Sequence, residues 1–331
     1  MRYRRGVSWP VDLEAIREAH ERIAPHVHRT PVVTSRTLDR RTGRSLFFKC
    51  ENLQRGGAFK ARGATNAVMK LDDETAAKGV VTHSSGNHAQ AVAIAALARG
   101  IEAHIVMPSD APRVKRLAVE GYRARIIECE PTQESRHETA ARVVEETGGT
   151  LIPPFDHPDV IAGQGTTAVE LLEEVPGLDA VVVPVGGGGL ISGMTLALRE
   201  LAPNVRVFGA EPSGADDAAR GKASGERVTK QTPNTVADGL KTTLGDLTWP
   251  VVRDLVEDII VVDDLLTIGA MKLVFERMKL VVEPSGAVPL AAVLSRRFAA
   301  LEGLKRVGVV FSGGNVDLDA LPWMKRGTRR Q

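Results

Sequence analysis

DAVVVPVGGGGLISG, residues 179–193, reads as a buried strand that breaks into four consecutive glycines and then enters a helix. Its valines give no polar alternation, so the strand suits the interior of a parallel sheet covered on both faces. Gly186, Gly187, Gly188 and Gly189 carry no side chains. Their amides can therefore curl around an anion, while the helix start adds its partial positive charge. The bland reading is a flexible hinge. A strand, glycine and helix junction nevertheless falls where open α/β sheets bind ligands, outside the carboxyl ends of the strands. A phosphate is the anion expected there.

The same alternation extends to both sides. Upstream, Val80–His83 reads as a strand, Asn87–Ala98 as an alanine-rich helix closing at Gly100, and Ala103–Met107 as a strand. Pro112 opens a helix, Arg125–Ile127 is a strand, Glu134–Glu146 a helix and Leu151–Ile152 a strand. Val169–Val175 is helical, and beyond the glycines come helix Leu190–Leu201, strand Val205–Ala210 and strand Ile259–Val262. Helices over Ile268–Met278 and Gly286–Phe298 and the strand Arg306–Phe311 complete the pattern, with residues 213–247 as its most loop-like part. Short apolar runs alternating with helices predict an α/β fold of doubly wound parallel sheets. At 331 residues the chain exceeds what one core fills, and residues 73–157 are expected to form a small lobe of their own.

Composition removes several function classes. Lys and Arg (43) nearly balance Asp and Glu (41), for a net charge of +2, and the signs are interleaved. No basic stripe is offered to nucleic acid or to an anionic membrane. No apolar run reaches the roughly 20 residues of a membrane helix, and MRYRRGVSWP leads into an amphipathic helix without a signal-peptide core. Cys50 and Cys129 have no metal-type spacing and no disulfide framework, which fits a reducing cytoplasm.

What chemistry the phosphate brings depends on three more segments. Gly187-x-Gly189-x-x-x-Gly193, with Glu211 after the next strand, is a loose variant of the dinucleotide fingerprint, so a nicotinamide oxidoreductase stays open on this signal alone. GGAFKARG (56–63) sets Phe59 and Lys60 among small residues; a lone lysine more often decorates a solvated surface, and it is the other segments that give this one a role. THSSGNHAQ (82–90) brings Ser84, Ser85 and Asn87 to a helix start, and Ser312-Gly313-Gly314-Asn315 offers a hydroxyl at a sheet edge. An amine, a phosphate cradle and polar groups for a ring are together what a pyridoxal phosphate enzyme needs and a hydride-transfer enzyme does not.

ENLQRGGAFKARGA, THSSGNHAQA, VIAGQGT, VVPVGGGGLISG, AEPSGADD, RDLVEDI, ERMKLVVEPSGA and SGGNVD span nearly the whole chain. With them the sequence resembles the serine/threonine dehydratase family of pyridoxal phosphate enzymes, of the tryptophan-synthase-β-like fold, and within it the serine racemases. One departure is Ala58, where the family commonly has serine.

The resemblance implies two lobes with the cofactor between them, residues 1–72 and 158–331 making the large one. It implies Lys60 as the lysine that bonds the cofactor, with Phe59 beside it, Gly186 to Gly189 on the phosphate, Asn87 on the ring hydroxyl and Ser312 on the ring nitrogen. Ser85 becomes the acid/base opposite Lys60. Ser84, Asn87, His88 and Arg136 join it at the substrate, although His88 taken alone reads as a satisfied structural group. Glu211, Asp217 and the Ala215 carbonyl match a Mg²⁺ or Ca²⁺ site, consistent with oxygen donors. Gln90, Tyr122, Lys279 and Asn315 match an ATP effector site. The implied activity is dehydration of L-serine and L-threonine with serine racemisation, the near alternative is threo-3-hydroxyaspartate dehydration, and the implied assembly is a homodimer.

Overall fold

The computed structural model describes residues 9–111 and 113–324, so Pro112 lies outside the described residues. In chain order the strands are β1 (Val32–Val33), β2 (Ser45–Cys50), β3 (Val80–His83), β4 (Ala103–Pro108), β5 (Arg125–Cys129), β6 (Thr150–Leu151), β7 (Ala180–Pro184), β8 (Arg206–Pro212), β9 (Asp258–Val262) and β10 (Arg306–Phe311). They make a six-stranded sheet ordered β1-β2-β10-β7-β8-β9 and a four-stranded sheet ordered β5-β4-β3-β6. Every pairing is parallel except that of β1 with β2 at the edge of the larger sheet.

Fourteen α-helices are described: α1 (Leu13–Ile23), α2 (Arg36–Thr42), α3 (Lys60–Lys70), α4 (Asp73–Ala77), α5 (Asn87–Arg99), α6 (Arg113–Glu120) and α7 (Gln133–Thr147) in the first half. The rest are α8 (Pro158–Glu174), α9 (Gly189–Leu201), α10 (Asp217–Ser224), α11 (Thr248–Leu255), α12 (Asp264–Leu273), α13 (Pro284–Leu294) and α14 (Arg296–Ala299). The amphipathic start becomes α1, capped by the Asp12 carboxylate on the Ala15 amide, and α5 closes on Gly100 in the left-handed conformation.

The valine run of β7 explains the two-sided sheet. Val181, Val183 and Val185 enter one apolar core while Ala180 and Val182 enter the other, as the two-residue period of a strand requires. Three helices, α3, α8 and α9, stack at close range through glycines. A Cβ at Gly163 would lie 2.6 Å from the Gly63 Cα, and one at Gly193 only 2.2 Å from the Ile161 carbonyl oxygen. Beside this stack lies an ionic cluster with no access to water. Arg62 binds Glu51 through Nε (2.8 Å) and Glu170 through both terminal nitrogens (2.7 Å each), and Lys49 Nζ also donates to Glu170 (2.7 Å). Thus the 3-10 turn Glu51–Leu53, α3 and α8 are tied together two residues from Lys60.

Some elements differ from the expectation. The helix expected from Val169 begins at Pro158, where His157 caps it and proline occupies the first turn. The helix expected over Gly286–Phe298 divides at Ser295, whose extended backbone ends α13 and whose side chain caps α14. The helix expected to reach Met278 ends at Leu273 and passes into one π-turn, and the 213–247 stretch contains α10. Among the described residues no helix is long and apolar enough to cross a membrane.

Candidate active site

Four chain segments converge where the carboxyl edges of the two sheets meet. Lys60 begins α3, and its Nζ donates to the Pro154 carbonyl at 2.5 Å, on the segment leaving β6. The Phe59 ring centre lies 5.1 Å from that nitrogen. Part of Lys60 stays accessible, but burial around the ammonium lowers its pKa to about 8. Phe59 N donates to the Ser312 carbonyl (3.0 Å), and Ala58 pairs with Gly313, so the lysine turn is sewn to the end of β10. Small Ala58 suits this pairing, for its Cβ would stand 3.2 Å from one on Gly313.

The serine loop lies between β3 and α5. Ser84 N donates to Val106 O, and Ser84 Oγ accepts from Gly86 N at 3.3 Å; Ser84 and Ser85 are both half-buried. Asn87 is held on both sides: Nδ2 donates to Glu283 (2.9 Å) while Oδ1 accepts from Asn315 (2.9 Å). One Nδ2 hydrogen is left over. His88 is buried, with Nε2 at 2.9 Å from the Ile152 carbonyl, and burial together with the nearby Lys60 charge lowers its pKa to about 3. It is a neutral, structural imidazole with Nε2 as the donor. Arg136, on α7, has its Nε buried without a partner, beside the edge-to-face pair His83 and His137.

Gly186 to Gly189 connect β7 to α9 and are buried. Among the described residues no carbonyl or side chain accepts from the amides of Gly186, Gly187 or Gly188. Buried amides are nearly always paired. Three adjacent orphans at a helix start therefore fit an anionic group, and the chemistry of the cradle fits a phosphate ester. The cradle tolerates no side chain: a Cβ at Gly187 would lie 2.2 Å from the Phe155 ring, and Gly188, at φ +85°, would meet Leu244 and Thr248.

The remaining expected residues occupy two other places. Glu211 ends β8 and accepts from the Ala218 and Ala219 amides, whereas Asp217 begins α10 and accepts from Gln231 and Leu244. Burial and the mutual repulsion of the two acids hold Glu211 well above the carboxylate range, and burial raises Asp217 to about 6. The two buried acids lie close enough to repel, with Ala215 buried between them in sequence, and among the described residues no cluster of three or more metal-ligating side chains is found. Gln90, Tyr122 and Asn315 gather around Gly56: Tyr122 lines a pocket of about 300 Å³ with it, and Asn315 donates to its carbonyl. Lys279 instead folds back on the Glu276 carbonyl (2.8 Å), and no described contact joins it to the other three.

Glu283 was missed in the sequence. It is buried at the first position before α13, bound to Asn87, and raised to about 8 by burial and by Asp238. A buried acid next to proline reads as an ordinary helix start, and only its partner 196 positions away marks it.

The chain belongs to the family of pyridoxal-phosphate dependent enzymes: the family profile so described matches residues 23–313. Within that family it groups with the serine racemases and dehydratases. It is 54% identical to the serine racemase of Arabidopsis thaliana over 95% of this chain and 96% of that one. It is 55% identical to a β-hydroxyaspartate dehydratase of Paracoccus denitrificans over 92% of this chain and 96% of the relative. The solved structure of maize serine racemase superposes with a TM-score of 0.93 at 54% identity, covering 94% of this chain and 95% of that chain. The family match removes the nicotinamide reading that the glycine signal had left open.

Proposed function

We propose that the protein removes water from L-serine and L-threonine, giving pyruvate or 2-oxobutanoate and ammonia, and also inverts serine at Cα. The observation that carries this is the placement of a lysine of lowered pKa between a serine loop and a cradle of unpaired glycine amides. Pyridoxal phosphate, held by Lys60 and by Gly186 to Gly189, would supply an electron sink for the electrons left when the Cα proton departs. Phe59 packs beside the lysine, Asn87 is assigned to the ring hydroxyl through its spare Nδ2 hydrogen, and Ser312 to the ring nitrogen. A serine hydroxyl does not enforce a protonated ring, so the sink is a mild one suited to elimination.

The chain's own groups then divide the proton chemistry. Lys60 Nζ, in the neutral form that its lowered pKa makes accessible, takes the Cα proton on one face, and Ser85 Oγ serves the other. Two bases on opposite faces invert a stereocentre; departure of the β-hydroxyl gives elimination. Ser84 and Arg136 orient the substrate carboxylate, while His88 steadies the loop through Ile152. The high identity to the Paracoccus β-hydroxyaspartate dehydratase supports 3-hydroxyaspartate as a second substrate. Incubation with L-serine, L-threonine and threo-3-hydroxyaspartate, followed by keto-acid and chiral analysis, tests the reading. Ammonia and D-serine from L-serine are expected, whereas turnover of hydroxyaspartate alone would contradict it. Ser85→Ala is expected to slow D-serine formation by about 100-fold or more while the visible cofactor band stays unchanged.

Glu211, Asp217 and the Ala215 carbonyl would hold Mg²⁺ or Ca²⁺, relieving the two buried acids. Chelation is expected to lower the melting temperature of the wild type and to leave Asp217→Asn indifferent to added cation. Equal responses in the two proteins would remove the site. The cluster of Gln90, Tyr122 and Asn315 around Gly56 is the place for an ATP effector, with Lys279 reaching it only by leaving Glu276. We further place the protein in the cytoplasm, as a homodimer of chains each with the 1–72, 73–157 and 158–331 division.

A further inference from the structure

The peptide between Gly187 and Gly188 has glycine on both sides, so no Cβ of its flanking residues fixes which way it points. Which way it points decides what the cradle offers. In a trans peptide the carbonyl and the N–H point in opposite directions, and the described chain has no cis bonds. Turned one way, the peptide presents the Gly188 N–H to an anion. Turned the other way, it presents the Gly187 oxygen and repels one.

The choice is made from outside the loop. Thr248, fully buried at the first position of α11, donates its hydroxyl to the Gly187 oxygen at 2.8 Å. That hydroxyl is itself fixed, because it accepts from Gly245 N at 2.9 Å. The turn carrying it is gripped by Asp156, whose carboxylate accepts from the amides of Asp246 (2.9 Å), Leu247 (2.9 Å) and Thr248 (3.2 Å). A Cβ at Gly245 would lie 2.1 Å from the Asp156 carboxyl carbon, so the fit is close. Asp156 follows Pro154 and Phe155, the residues that bind Lys60 and cover Gly187. The same short segment therefore touches the lysine, the cradle and the turn that sets the cradle.

We propose that Asp156 and Thr248 are positioning residues that hold the Gly187–Gly188 peptide with its N–H toward a phosphate monoester. Their effect is on the phosphate and not on the ring or the lysine. The proposal rests on the reading of the glycine loop as the phosphate cradle of pyridoxal phosphate. Thr248→Val keeps shape and burial but removes the hydroxyl; Thr248→Ser restores it.

The test is the dissociation constant of the full chain, after cofactor removal, for pyridoxal phosphate and for pyridoxal, with inorganic phosphate as competitor. Thr248→Val is expected to bind pyridoxal phosphate about 10- to 100-fold more weakly, as loss of a preset anion donor implies. Its affinity for pyridoxal should stay within about twofold, phosphate should compete less well, and Thr248→Ser should match the wild type. Unchanged pyridoxal phosphate affinity in Thr248→Val overturns the proposal, and so does equal weakening of both ligands, which marks a general structural loss. Should Thr248→Val fail to fold, Asp156→Asn decides by the same pair of constants. A wild type that binds pyridoxal phosphate no better than pyridoxal contradicts the reading of the cradle itself, a result distinct from any difference between variants.

Discussion

Replacing Lys60 with alanine is expected to leave less than about one part in 10⁴ of the wild-type turnover, with the variant still folded. The reason is that one nitrogen carries two roles. On the proposed reading it would bond the cofactor and would then hold the Cα proton. The lysines nearest in sequence do not substitute at that place: Lys49 is spent on Glu170 and Thr30, and Lys70 lies at the far end of α3 on Asp159. The side chain is also positioned for attack, since a pKa lowered to about 8 by burial leaves roughly a tenth of it neutral at pH 7. For a base with depressed folded pKa, the neutral fraction falls tenfold per pH unit below that value. Cofactor uptake by the wild type should accordingly rise with pH and level off above about 8. Glu283 titrates in the same range, so the limb should be measured again in Glu283→Gln. Persistence there assigns it to Lys60, and disappearance assigns it to Glu283.

Arg62→Met should be the most destabilising single change near the site, by about 3–5 kcal/mol, because it leaves buried charge without its partner. Arg62 makes both charge-assisted contacts to Glu51 (2.8 Å each) and two to Glu170 (2.7 Å each). Glu170 would retain Lys49, but Glu51 would retain only the Thr30 hydroxyl at 2.6 Å. Against a usual total of about 5–15 kcal/mol, such a loss should appear as a melting temperature lower by more than about 5 °C. Adding Glu51→Gln to Arg62→Met removes the orphaned charge and should recover part of the deficit. Additive losses in that double variant would show that the cluster is not the cause.

Much of the fold is legible because it is local. The valines of 179–185 announce a strand covered on both faces, and β7 sends alternate side chains into two cores. The glycines that follow leave amides bare, and those amides are unpaired in the fold. Boundaries were less legible where a single side chain decides them. Ser295 looks like one more small residue in an alanine-rich helix, yet its own cap ends one helix and starts another. Of the site, the lysine turn, serine loop and glycine run stand out as unusual local compositions. Glu283, Asp156 and Thr248 do not, because each is an ordinary residue whose meaning comes from a distant partner. Asp156 meets Asp246 across 90 positions, and Thr248 meets Gly187 across 61. Arg62 likewise reads as a surface arginine until α8 brings Glu170 to it.

The central claim is a bond between this lysine and a phosphorylated aldehyde cofactor. Borohydride reduction of the purified protein, followed by peptide mass spectrometry, reads that bond directly. The account predicts a phosphopyridoxyl group on the peptide containing Lys60. An active protein carrying the group on another lysine, or carrying none, would contradict it.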